Sequence, residues 1–145
     1  MWTVTTHCVE CGAVSCPDLF DTVLALDHSR QPPWGPLHGV TVACYLLQHP
    51  SRLPAAHRAR PLAVLRAYTT GGLDAATRLT EQARQANNHR ARHAAEEPEP
   101  PPVPPPAAFE VTIADVAGDG TFPAAGFADR VDAWARATLS AWRCS

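Results

Sequence analysis

Residues 36–50 read PLHGVTVACYLLQHP, and this stretch decides the fold class. Leu37, Val40, Cys44 and Leu47 recur at three- and four-residue intervals, the period of a helix with one face against a core. His38, Val42, Tyr45 and His49 form a neighbouring stripe of the same period, so polar side chains ride beside the buried face. Pro36 suits a helix opening. Pro50 closes it, because proline offers no backbone N–H and pushes the residue before it out of the helical region. His38 and His49 are eleven residues apart and share a face. At 1.5 Å per residue they stand about 16 Å apart along the axis, so one ion cannot use both.

Toward the N-terminus, Cys16-Pro17-Asp18 reads as a helix start, with proline in the first turn and an acid at the positive end of the dipole. The helix is expected to reach about His28, with Leu19, Phe20, Val23, Leu24 and Leu26 as its apolar side, before the breaker Gln31-Pro-Pro-Trp-Gly35. Trp2 to Thr6 forms a short β-prone lead into the turn Cys8-Val-Glu-Cys11-Gly12. Toward the C-terminus a third helix, about 57–68, presents Leu62, Leu65 and Tyr68 and stops at Gly71-Gly72. A fourth begins near Leu73 with Ala76, Leu79 and Ala83 inward and turns polar after Gln85. Residues 96–106, EEPEPPPVPPP, favour polyproline II and read as a spacer or strap. Thr112 with Asp115 three residues on is a capping pattern that opens a short helix. A last helix, about 124–143, carries Phe127, Val131, Trp134, Leu139 and Trp142.

The expected fold class is therefore mainly α: a small bundle of five to six helices with an N-terminal cysteine-rich metal-binding turn and a proline-rich strap. It reads as a single domain over 1–145, with a metal-binding head at 1–16, a helical core at 17–95, a proline-rich linker at 96–108 and a C-terminal closing helix within 109–145.

Composition narrows the function classes. The chain has 145 residues, 46% of them hydrophobic, enough for one packed core. A formal net charge of −2 provides no field for steering toward nucleic acid or an anionic membrane. All 12 basic residues are arginine. The missing lysine removes a P-loop, a Schiff-base lysine and a Ser-Lys pair. No secretory pattern opens the sequence, and the apolar run from Val40 to Leu47 falls far short of the roughly 20 residues that span a bilayer. The expected setting is a bacterial cytoplasm. There, three of five cysteines packed between positions 8 and 16 argue for metal or redox chemistry before disulfides.

The metal reading uses Cys8-x2-Cys11-x4-Cys16, with His38 as the fourth ligand and Zn2+ as the expected ion. A Cys-x2-Cys turn sets two thiolates about one tetrahedral edge apart, and Gly12 lets the turn bend. Cys16 at a helix start gains from the dipole, which favours the thiolate. One geometric difficulty stands. In an antiparallel hairpin, the start of the second helix lies by the end of the first, away from Cys16. The head must then fold across, or His7 or water must complete the set. The competing readings are a redox pair, which should open a helix directly whereas Gly12 to Ser15 intervene, and inert reduced thiols.

His49, Tyr45 and Asp115 form the candidate catalytic set, with His49 as acid or base and Gln48 beside it. The plainer reading of His49 is a helix-capping cation. His89 and His93 have helical metal-binding spacing on a solvated arginine-rich end and rank well below the cysteine site. Cys44 reads as core and Cys144 as a terminal thiol.

The combination of Cys8-Val-Glu-Cys11-Gly12, Cys16-x2-Leu19-Phe20, Leu37-His38-x2-Thr41-Val42-x2-Tyr45-x2-Gln48-His49-Pro50 and Val131-x2-Trp134-Ala135-x6-Trp142 resembles an uncharacterised bacterial domain-of-unknown-function family. The likeness covers nearly the whole chain. It implies that His38, Gln48, His49 and Asp115 belong to a shared design and carries no activity. The proline run and Gly118-Asp-Gly120 depart from it. Two functions remain in play. The first is a zinc-binding accessory or binding protein, its metal structural and its partner a small molecule or a protein. The second is a small metal-containing enzyme of specialised metabolism, using His49 as acid/base or the metal as Lewis acid. Nucleic acid and membrane are disfavoured as partners.

Overall fold

The computed structural model describes residues 6–90 and 104–144, with side chains throughout except at 86–90 and 144. The lead before Thr6, most of the proline run, His93, the His89 side chain and the Cys144 thiol lie outside the described residues. Five α-helices make up the fold: α1 (Cys16–His28), α2 (His38–Leu47), α3 (Ala59–Arg90), α4 (Ile113–Ala117) and α5 (Phe127–Cys144). No strand occurs among the described residues, only an isolated antiparallel bridge between His7 and Val14. No helix there is long and apolar enough to cross a membrane.

α2 is the central element, packed against α1, α3 and α5. Its periodicity explains this. Leu37, Val40, Cys44 and Leu47 are buried on one side, and Tyr45 is buried on the neighbouring stripe. The polar face that a surface helix would keep is reduced to His38 and its neighbours. α5 closes over α2 with Phe127, Val131, Trp134, Leu139 and Trp142 all buried, each such burial contributing about 1.5–3 kcal/mol.

The expected stop at Gly71-Gly72 is a break one residue long. Gly72 takes φ 79° and ψ −173°, a conformation that glycine alone adopts freely, and helical turns resume at once. The two expected helices are therefore both present within α3, meeting at a kink at Gly72. The Thr112–Asp115 pattern does close a capping box: Ala114 N–H donates to Thr112 Oγ1, and Thr112 N–H donates to the Asp115 carboxylate at 2.9 Å.

Directed hydrogen bonds fix the end of α2. Gln48, buried just past Leu47, donates from Nε2 to the Val111 carbonyl at 2.7 Å and to Thr138 Oγ1 at 2.9 Å. Trp142 Nε1 donates to the Leu47 carbonyl at 2.9 Å. A buried amide left unpaired costs about 1–3 kcal/mol, so these bonds specify where α5 docks. The next residue, His49, inherits that position.

Candidate metal centre

The site begins with the turn at Cys8 to Ala13. Gly12 N–H donates to the Cys8 carbonyl and Cys8 N–H to the Ala13 carbonyl, both at 2.9 Å. Gly12 sits at φ +86°, with open space where a Cβ would be, so backbone conformation and not crowding calls for glycine. This winding turns backbone N–H groups toward sulfur. Ala13 N–H points at Cys11 Sγ at 3.4 Å, and the Cys11 and Glu10 amides face Cys8. Ser15, at φ 57° and ψ 34°, then swings the chain so that Cys16 opens α1.

His49 comes from the far end of α2. Its place before Pro50 holds it outside the helix at φ −129° and ψ 67°. Its Nδ1 lies 2.7 Å from the Tyr45 carbonyl. A carbonyl only accepts, so Nδ1 carries the proton and Nε2 keeps its lone pair. That lone pair faces Cys16 Sγ at 3.4 Å. The imidazole stacks on Tyr45 at 4.1 Å between centroids, and Tyr45 stacks on Phe20 of α1 at 3.8 Å. Glu10 ties the cysteine turn to the same end of α2, accepting from Ser51 N–H at 2.9 Å and Ser51 Oγ at 2.6 Å.

Cys8, Cys11, Cys16 and His49 thus converge, their sulfur and nitrogen atoms all within 4.8 Å of one another, and together they could hold a metal ion. Around an ion with M–S of about 2.3 Å and M–N of about 2.0 Å, tetrahedral edges run roughly 3.4–3.8 Å, so the donors need little movement. Burial pushes the Cys11 thiol up to about 12 and raises Cys16 as well. Burial opposes ionisation of Cys8 too, but the Cys11 and Glu10 amides and the Cys11 and Cys16 thiols together outweigh it and lower that thiol. Burial lowers His49, keeping its imidazole neutral. A metal cation would supply the charge that thiolates at Cys8, Cys11 and Cys16 otherwise lack.

The fourth member of this cluster is His49, and the expectation of His38 is corrected. His38 lies at the opposite end of the hairpin, its Nδ1 3.0 Å from Asp27 Oδ2. The reason is the antiparallel course of α1 and α2: Cys16 starts one helix and only the end of the other can reach it. His7 serves the turn instead, Nδ1 to the Gly12 carbonyl at 3.0 Å. Of the candidate catalytic residues, ring contact is seen for two. His49 and Tyr45 are neighbours, but the Asp115 carboxylate is exposed and engaged in the α4 capping box. Gln48 tethers α2 to the Val111 carbonyl and to Thr138 of α5. Cys44 is fully buried core.

Sequence reasoning passed over Asp27, which is buried although charged. Its signal was spacing: Phe20, Val23 and Asp27 follow the three-four period, so a carboxylate occupies a core-facing phase of α1.

Comparison with curated proteins and with solved structures returned no match. The model of DUF5946, a family of unknown function, matches residues 6–143, from the turn before Cys8 to the end of α5, and the chain belongs to that family.

Proposed function

We propose that Cys8, Cys11, Cys16 and His49 bind Zn2+ and that the ion is structural, in a small protein that acts by binding a partner. The observation that carries this reading is the closed donor set: three sulfurs and one imidazole nitrogen, mutually within 4.8 Å. Three thiolates with one neutral imidazole suit zinc, and four protein ligands leave no position for substrate water. The Nδ1–H bond to the Tyr45 carbonyl is the outer-shell contact that orients a ligating imidazole. Free thiols at all three cysteines fit a reducing, cytoplasmic setting.

The test is metal content per chain on untagged protein, with Cys11→Ser, His49→Ala and His38→Ala alongside. About one zinc per wild-type chain is expected, lost in the first two variants and kept in the third. Metal-free wild-type protein that melts as the loaded protein does would overturn the structural role.

A further inference from the structure

The other end of the α1–α2 hairpin carries a second set of donors. Asp27 has a side chain with no solvent exposure, yet only Oδ2 is engaged, with His38 Nδ1 at 3.0 Å. Its Oδ1 is buried and has no hydrogen-bond partner among the described residues. A carboxylate in that position is expensive unless positive charge is placed beside it. His38 is 45% exposed at its side chain, and with Nδ1 turned to Asp27 its Nε2 is the nitrogen left free. His28, the exposed last residue of α1, sets its ring 5.7 Å from the His38 ring, centroid to centroid. Two imidazoles on one ion, with M–N of about 2.0–2.1 Å, place their centroids roughly 4.5–5.5 Å apart. A small rotation of the exposed His28 ring brings the pair to that spacing. α1 also ends there, and a helix C-terminus favours a cation.

The geometry points to a second metal site, formed by His28 and His38 with Asp27 as the acceptor that fixes the His38 tautomer. The ion is a divalent late transition metal of the kind imidazole prefers, Zn2+, Ni2+ or Cu2+. Asp27 stands behind the ligand and not on the ion, since only the cysteine cluster brings three or more donors together among the described residues. Such a carboxylate fixes the ring orientation of the imidazole it holds. With two protein ligands the ion keeps open positions, which a water or a ligand's carboxylate or phosphate oxygen would fill. This site shares no donor with the thiol cluster.

The test adds Ni2+ to untagged, zinc-loaded protein, reading stoichiometry by calorimetry and paramagnetic broadening of histidine ring signals by NMR. One further saturable Ni2+ is expected, broadening His28 and His38 ahead of other histidines. His28→Ala or His38→Ala should weaken it at least tenfold, and Asp27→Asn by about 10–100-fold. His28 is exposed, so its variant keeps the fold and the comparison stands even where Asp27→Asn is unstable. Ni2+ binding unchanged in the His28→Ala/His38→Ala double variant, or no saturable binding to the wild type, would overturn the assignment. Zinc content read in parallel should stay at about one per chain in the His28→Ala and His38→Ala variants, which separates the two sites.

Discussion

The two ends of the α1–α2 hairpin each hold a histidine by its δ nitrogen, and they differ in the acceptor. At the His49 end the acceptor is a neutral backbone carbonyl, the ring is buried in an aromatic stack, and Nε2 looks into three thiols. At the His38 end the acceptor is a buried carboxylate, the ring is half exposed, and a second histidine lies beside it. The same anchoring of one nitrogen therefore prepares two different donors. One is soft, enclosed and completed by the chain itself. The other is open and incomplete without something from solution. Side-chain type alone does not distinguish them; acceptor charge and burial do.

The sharpest way to break this contrast is Cys11→Ser. If the enclosed end is held by metal, metal affinity is folding free energy, on the order of 10 kcal/mol in small zinc folds and comparable to a whole domain's stability. The variant should lose cooperative thermal melting under conditions where the wild type melts sharply, and excess chelator should reproduce that in the wild type. Next comes the pair His49→Ala and His38→Ala. The first should destabilise nearly as much as the cysteine change. The second leaves Asp27 buried without its partner and should cost about 1–3 kcal/mol, read from urea midpoints. Equal losses would erase the distinction between the ends.

Acid separates the ends by sign. His49 is lowered from 6.5 by burial, so in metal-free protein the unfolded chain takes up that proton first. Its contribution is present above pH 6.5 and is lost as pH falls below it, by at most ~1.4 kcal/mol per pH unit. Asp27 is raised from 3.8 by burial, against the opposing pull of His38. Its contribution is complete below 3.8 and is lost as pH rises through the raised value. Urea midpoints of zinc-loaded wild type should therefore fall from pH 7 to 5, as protons compete with the ion for the cluster's thiolates and imidazole, and His38→Ala should leave that fall unchanged. The smallest effect belongs to Glu10→Gln, which weakens the clamp on Ser51 at a partly exposed position. A loss near 1 kcal/mol is expected by thermal melting, with zinc content unchanged.

Much of this was legible in the residues. Cys16-Pro17-Asp18 opens α1, the Thr112–Asp115 box opens α4, and the α5 spacing buries its five large side chains, because each depends on neighbours within a few positions. The cysteine turn was legible for the same reason. The fourth donor was not, since choosing between His38 and His49 requires knowing which end of α2 faces Cys16. The hairpin argument already pointed away from His38. Following it to the other end of the same helix would have reached His49. The Gly71-Gly72 stop was legible as well, because Gly72 takes the non-helical conformation that divides α3 into its two helical segments.

The tethers at the end of α2 bear on the order of events during synthesis. Every donor of the thiol cluster lies within the first 49 residues, and the Glu10 clamp is complete at Ser51. Thr138 and Trp142, which lock Gln48 and Leu47 in place, are translated about 90 residues later. At 5–20 residues per second the ribosome takes roughly 5–20 s to reach them. The nascent chain thus presents a full set of ligands to the cell's metal pool while α5 does not yet exist, and loading can precede closure.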